Sequence, residues 1–455
     1  MARLRIGIMA DQAPPPERHL KPPLTPRLVR WFDRRLGGAR LARKTLDKVF
    51  PDHWSFLLGE VSLYCFVVLV LTGTYLALFF SPSQATVTYS GSYGPLRGVE
   101  MSEAYNSAIR LSFDVRAGLV MRQIHHWAAL LFLAAIVAHL ARIFFTGAFR
   151  RPRELNWMIG VTMLLLAMVN GFAGYSLLDD QLSGTGLRVA NAIILSIPVI
   201  GTWASSLAFG GPYPGPDMLQ RLFVAHVFLI PALIGILIVV HLALVIRHKH
   251  TQFPGPGRRE DNVYGQRFWP TYTAKAGGLF FLVAAVLAGL GGVAQINAIW
   301  VSGPYRPADV SSASQPDWYM GWADGGLRLM PPWEIRAFGY TVPNPFFPGV
   351  LLPSVVFGIL YLWPFIEARF THDAVEHHLL DRPRDRAVRT GVGVGAFTFI
   401  AIMLLAGSSD VIATTFGISV NAVIWILRTA LLVAPPVAGL VAARLCVELR
   451  RRGDE

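Results

Sequence analysis

The sequence predicts an all-α integral membrane protein of eight transmembrane helices, a four-helix bundle followed by a second four-helix part. Three observations carry this expectation. Of 455 residues, 53% are hydrophobic and 15% charged, where a soluble domain carries about a quarter charged. Apolar runs long enough to cross about 30 Å of hydrocarbon fall near 57–80, 118–146, 155–176, 222–247, 277–297, 348–366, 391–412 and 421–446. The second and fourth of these runs each carry two histidines at almost the same separation.

The charge distribution agrees with that topology. A net charge of +13 would suit a polyanion partner, but its placement argues otherwise. With the N-terminus inside and an even number of spans, 31 of the 41 Lys and Arg fall on the inner side, as the positive-inside rule requires. Both termini are therefore expected in the cytoplasm, and no nucleic-acid partner is implied. Two cysteines, Cys65 and Cys446, make no disulfide framework. The chain has no Cys-x-x-Cys-His for an ordinary c-type haem and no cysteine set for an iron–sulfur cluster.

Taken in order, residues 1–50 read as a basic cytoplasmic segment, proline-broken and without the apolar core of a signal peptide. From Ala39 to Phe50, Ala42, Leu46, Val49 and Phe50 recur at helical spacing among Arg40, Arg43, Lys44 and Lys48, so a short helix on the membrane surface is expected. Residues 51–247 form the first four-helix bundle. Its first span sets Gly59 and Gly73 fourteen apart, and its third repeats that interval with Gly160 and Gly174. The second span sets His125 and His139 fourteen apart, and the fourth sets His226 and His241 fifteen apart. Between spans, the loops 81–117, 177–220 and 298–347 are too long and apolar to be mere connectors, and such loops usually carry function. Asn191 to Trp203 reads as an apolar helix broken at Pro198, too short to span and expected along the outer membrane surface. Residues 248–275 form a cytoplasmic loop, and 276–455 the second four-helix part.

At about 100° and 1.5 Å per residue, each histidine pair returns to one helix face within roughly 60°, its members roughly 21 and 23 Å apart. Two such helices facing each other offer two His–His sets, one near each end. That is a ladder for two haems, with His125, His139, His226 and His241 as iron ligands. His126 is rotated off that face and is not a ligand. Glycines repeated at the same interval leave room for a flat macrocycle against a helix backbone. Haem propionates are anions that need cations. Arg122, three before His125, and Arg221, five before His226, are read as their partners, and Arg142 follows His139 by three.

Five stretches carry a family resemblance: Gln123–Trp127, Ala141–Glu154, Ser196–Gly201, Thr251–Gly257 and Gln315–Tyr319. They resemble cytochrome b, the membrane subunit of cytochrome bc1 complexes, and most of all the actinobacterial kind, over nearly the whole chain after about residue 27. The resemblance implies two b-type haems, an outer low-potential one held by His125 and His226 and an inner high-potential one held by His139 and His241. It also implies quinol oxidation at an outer site, quinone reduction at an inner site, and menaquinol as the substrate. A Rieske iron–sulfur protein, a c-type cytochrome subunit, a cytochrome c oxidase supercomplex, a dimer and the bacterial cell membrane follow as expectations. Relatives of this kind often have a longer polar C-terminal tail than the stretch after Cys446.

At the outer site, the family's Pro-Glu-Trp-Tyr is here Pro316-Asp317-Trp318-Tyr319. A quinol losing two electrons also loses two protons, so Asp317 is expected to take one, with Tyr319 beside it. Gly174, Tyr175 and Gly186 match the family's quinol pocket, and Gln181 and Ser183 fit its pattern. Leu178-Asp-Asp180 departs from the usual Pro-Trp-Gly. At the inner site the candidates are His248, Lys249, His250, Arg267 and, best of all, Lys275, with Ala276 where the family often has an acid. Cys65 stands where photosynthetic relatives attach a third, covalent haem, but a small buried hydrophobe is the preferred reading. Two other classes stay open: a two-haem electron carrier or anchor subunit, and a transporter with histidines along a proton path.

Overall fold

The computed structural model describes residues 31, 33–35, 46–309 and 314–454. Eight helices among them are long and apolar enough to cross a membrane. They are α1 (Leu58–Ala77), α3 (Gly118–Phe145), α4 (Glu154–Ser176), α7 (Met218–His248), α8 (Phe268–Val293), α10 (Phe347–Thr371), α11 (Ala387–Gly407) and α13 (Val420–Asp454). Between them lie shorter helices, among them α2 (Glu103–Phe113), α5 (Gln181–Leu195), α6 (Gly201–Phe209), α9 (Trp318–Leu329) and α12 (Ser409–Phe416). The fold is an all-α membrane protein, with three two-stranded ribbons as its only sheet among the described residues.

Where boundaries differ from expectation, local chemistry explains it. Most of the expected surface helix, residues 39–45, lies outside the described residues. Its last two residues are a correction. Val49 and Phe50 are extended and pair as β1 with Gln266–Arg267, because Pro51 biases the residue before it towards β and Val favours a strand. Helix α8 starts nine residues before the apolar run, at Phe268–Tyr272, where Trp269 is extended and Pro270 follows it in a first turn, a place that tolerates proline. The seventh run divides into α11 and α12, with Ser408 between them. The expected surface helix around Pro198 is two helices, α5 and α6, and Gly210 in the left-handed region (φ 78°) closes the second.

Helices α1, α3, α4 and α7 assemble the bundle, with α8 lying against α3 and α1. In the second part α11 packs on α13 and on α9. The last contact is backbone to backbone, since a Cβ on Gly325 would collide with the Met403 carbonyl. Inside the bundle, Phe132 from α3 and Ile234 from α7 form a wall between two cavities, here termed outer and inner after the charge asymmetry. The outer loops pack as a cap, with Tyr89, Tyr105, Ile109 and Ile299 fully buried in one cluster and Leu187, Met218 and Leu219 in another.

Candidate functional site

The four histidines meet in two pairs. His125 of α3 faces His226 of α7 with ring centroids 6.1 Å apart and planes 77° apart. His139 faces His241 at 6.5 Å and 69°. Metal–nitrogen bonds of about 2 Å to one ion, with half a ring behind each, put two axial imidazole centroids about 6 Å apart. Both pairs therefore have the separation a shared haem iron requires. The unequal sequence spacing also resolves. Residues Ala225–Leu229 form a π-turn containing His226, and such a turn takes one residue more than an α-turn. Pro231, which crowds the preceding turn's carbonyl, follows directly. The extra residue brings fifteen positions on α7 into step with fourteen on α3.

Each pair opens on a cavity, about 270 Å³ on the outer side and 290 Å³ on the inner, so the two sites are of nearly equal size. The second ring nitrogens are anchored at the outer pair: His125 Nδ1 lies 2.9 Å from Thr72 Oγ1, and His226 Nδ1 lies 2.9 Å from the Asn170 carbonyl. Such anchoring orients a metal-ligating imidazole. All four glycines line the cavities, but three serve the imidazoles rather than open space. A Cβ on Gly59 or Gly73 would lie 3.1 Å from the His139 or His125 ring, and one on Gly174 would overlap His226. Gly160 faces open space. Asn156 and Asn170, each four residues before one of the α4 glycines, line the two cavities and form a second fourteen-residue repeat that the sequence reading missed.

The arginines separate into two kinds. Arg122 is buried, lines the outer cavity and donates twice to the Asn297 carbonyl at 3.1 Å, leaving its Nε unpartnered. Arg142 lines the inner cavity over the Phe56 ring, with Nε and Nη2 buried and unpartnered. A buried guanidinium without an anion is costly, so these orphaned donors fit a propionate. Arg221 is not brought to a cavity; it donates to the Leu207 carbonyl near the end of α6 at 2.5 Å.

The outer cavity also holds an acid. Asp317 stands just before α9 and lines the cavity with Tyr319 and Tyr175. Its oxygens lie 2.9 and 3.1 Å from His126 Nε2, and Tyr319 donates its hydroxyl to Oδ2 at 3.1 Å. Burial raises the Tyr319 hydroxyl, with the Asp317 charge adding to it, so the phenol stays protonated. His126 is the residue that sequence reading left without a role. The available signal was its rotation of about 100° from His125, which turns it towards the second part of the fold. Pro316 and Trp318 flank the acid without lining the cavity, and Gly186 lies under Phe172 and Tyr175 rather than on it. Gln181 ties the Arg306–Asp309 loop, and Ser183 completes a capping box with Asp180.

In the inner cavity His250 packs at a tilt against Phe50, ring centroids 4.4 Å apart. Burial, then the charges of Lys48, Arg153 and Arg142, push its pKa down to about 4, so the ring is neutral at physiological pH. Lys249 lines this cavity too, but Lys275 does not; it is exposed and pairs with Asp52 at 3.1 Å. Glu60, accepting from Tyr272 and Tyr64, is the carboxylate in this cavity that sequence reading passed over. Cys65 is fully buried in the bundle core and lines neither cavity.

Comparison with known proteins follows the same line. Residues 130–304 match the family model described as Cytochrome b(N-terminal)/b6/petB. A cytochrome bc1 complex cytochrome b subunit of Streptomyces coelicolor is 51% identical over 435 residues, covering 96% of this chain and 80% of that one. The Mycobacterium tuberculosis subunit is 53% identical over 421 residues, 92% of this chain and 76% of its own. The Corynebacterium diphtheriae subunit is 52% identical, covering 93% and 78%. A solved hyperthermophilic respiratory Complex III chain shares the fold, with a TM-score of 0.68 at 20% identity over 91% of this chain and 99% of that one. Identity above one half across nearly the whole length leaves one assignment: the chain belongs to the cytochrome b subunits of cytochrome bc1 complexes, haem-binding membrane proteins of quinol–cytochrome c electron transfer.

Proposed function

We propose that this chain holds two b-type haems, His125 and His226 ligating the outer one and His139 and His241 the inner one. The carrying observation is the pair of matched imidazole separations, 6.1 and 6.5 Å, each opening on its own cavity. When bound, the haems supply a one-electron path between the two faces. Arg122 and Arg142 hold propionates, and Thr72 and the Asn170 carbonyl fix the outer imidazoles.

Quinol, read as menaquinol, is oxidised at the outer cavity, losing two electrons and two protons. The Asp317 carboxylate accepts one proton from a quinol hydroxyl, with Tyr319 holding the carboxylate by its own hydroxyl. One electron leaves to a Rieske iron–sulfur partner, which also takes the other proton, and thence to a c-type cytochrome. The second electron passes to a quinone at the inner cavity, where Glu60, Tyr272, Lys249 and His250 supply polar groups, and two such turnovers with two cytoplasmic protons complete one quinol there. This is a Q-cycle that moves charge across the membrane. The complex is a dimer associated with an oxidase in the bacterial cell membrane, both termini of this chain cytoplasmic. The acid in the outer cavity favours this reading over a plain two-haem carrier.

The test is a pyridine haemochrome assay on the purified complex, before and after acid–acetone extraction, with quinol oxidation in an Asp317→Asn chain. Two extractable haems on this chain and lost turnover in the variant are expected. One haem or none on a folded chain sinks the ladder, and native turnover in the variant sinks the outer site.

A further inference from the structure

We propose that His126 is the positioning residue for Asp317 in quinol oxidation: it holds a short carboxylate at the outer cavity wall, on the same helix turn that carries the iron ligand His125. The inference rests on the reading that Asp317 accepts a quinol proton.

Asp317 begins α9, yet its side chain makes no capping bond to that helix. Its oxygens are instead bound from two directions. Tyr319, two residues on, donates to Oδ2 at 3.1 Å. Across the chain, His126 Nε2 lies 2.9 Å from Oδ1 and 3.1 Å from Oδ2. An ionised carboxylate only accepts, so the imidazole is the donor. The two side chains keep 15% and 19% of their surface accessible, so a substrate hydroxyl reaches the carboxylate while it stays bonded to the ring. All three residues line the outer cavity with His125 and Tyr175.

This bond is the side-chain tie from Asp317 to the haem-binding half of the fold. Because His125 and His126 are consecutive on α3, the proton acceptor is held at a set distance from the outer histidine pair. Aspartate is one methylene shorter than glutamate and reaches less far from α9. The imidazole, reaching from α3, makes up that length. Without it the carboxylate would be held by the Tyr319 hydroxyl alone, and a displacement of about 1 Å can cost a reaction roughly 100-fold in rate.

The experiment uses the whole complex, purified with this chain as His126→Gln or His126→Asn, each also combined with Asp317→Glu. A soluble naphthoquinol is the donor and cytochrome c the acceptor, and haem per chain is counted for every sample. The glutamine amide nitrogen reaches where Nε2 stands, and the asparagine amide falls one bond short. The expected result is a glutamine variant within about fivefold of native kcat and an asparagine variant reduced about 100-fold with little change in KM. Lengthening the acid by Asp317→Glu should bring the asparagine variant back to within about tenfold of native. Native turnover in the asparagine variant overturns the proposal, as does an equal loss in both amides or no recovery with Asp317→Glu. Should the asparagine chain lose its outer haem, the glutamine chain decides, since a 100-fold loss there with both haems present also overturns it. An Asp317→Asn control separates the two levels. Native turnover there removes the outer-site reading, whereas loss there beside an unaffected His126→Asn removes the positioning role alone.

Discussion

Gly174 shows how a single atom can decide haem binding. A Cβ there would overlap the His226 ring, and the ring cannot retreat while its Nδ1 is held by the Asn170 carbonyl. Gly174→Ala is expected to abolish the outer haem, read as one haem per chain instead of two. Gly160→Ala is the informative companion, because its Cβ meets no protein atom. Any loss of the inner haem in that variant reports the macrocycle itself lying against α4. A second residue-scale prediction concerns Asp179, outside the spans. Burial pushes its carboxyl up to about 6 from 3.8; the Ser102 hydrogen bond opposes this and the Asp180 charge adds to it. The unfolded chain releases this proton near 3.8 and the folded chain near 6, so stability is lost as pH rises between those values and stays lost above. Asp179→Asn should raise stability by up to about 3 kcal/mol at pH 7 and by nothing at pH 3.5, read from thermal midpoints in detergent.

At the scale of elements, the second part is fastened at its inner end by charge. Arg389, at the start of α11, reaches Asp381 at 2.8 Å and Glu367 of α10, and Arg150 meets the same Asp381 at 3.3 Å. With the Arg389 side chain 3% exposed, its removal strands the Glu367 carboxylate in a poorly solvated place, while Asp381 keeps Arg150 and Arg386. Arg389→Ala is expected to cost about 3–5 kcal/mol, far above a surface pair, and to loosen α11 from α10 in hydrogen exchange. The π-turn in α7 is the other element that matters. Deleting Val227 would return the turn to α geometry and leave His226 and His241 fourteen apart, the α3 spacing, so the two histidines keep one helix face. Both histidine pairs should then survive, read as two haems per chain in a span that still inserts.

For the whole molecule, the two sites are near copies stacked through one bundle and divided by Phe132 and Ile234. Each should therefore empty independently. His241→Leu is expected to leave one haem per chain with the outer spectrum intact and to stop sustained quinol oxidation. Loss of both haems from that single change would mean the bundle does not fold around one site alone. The outer face of α13 remains apolar, with Leu432, Val437, Leu440 and Leu445 exposed, which suits a helix whose neighbour on that side is lipid or another subunit.

Much of this was determined by the sequence alone. The spans, their number and the histidine quartet were legible because a bilayer forces every spanning segment to be helical and apolar, and because helical periodicity is local. Residues fourteen apart share a helix face whatever surrounds them. Tertiary structure decided which neighbours those faces meet. Arg122 and Arg142 turn into the cavities, whereas Arg221 satisfies an end carbonyl of α6 and Lys275 pairs with Asp52. Nothing in a local pattern separates these cations, since a long side chain goes to whichever acceptor the fold brings within reach. The same holds for His126 and Asp317, 191 residues apart. Their meeting depends on how α9 is laid against the bundle, and only packing between distant segments determines that.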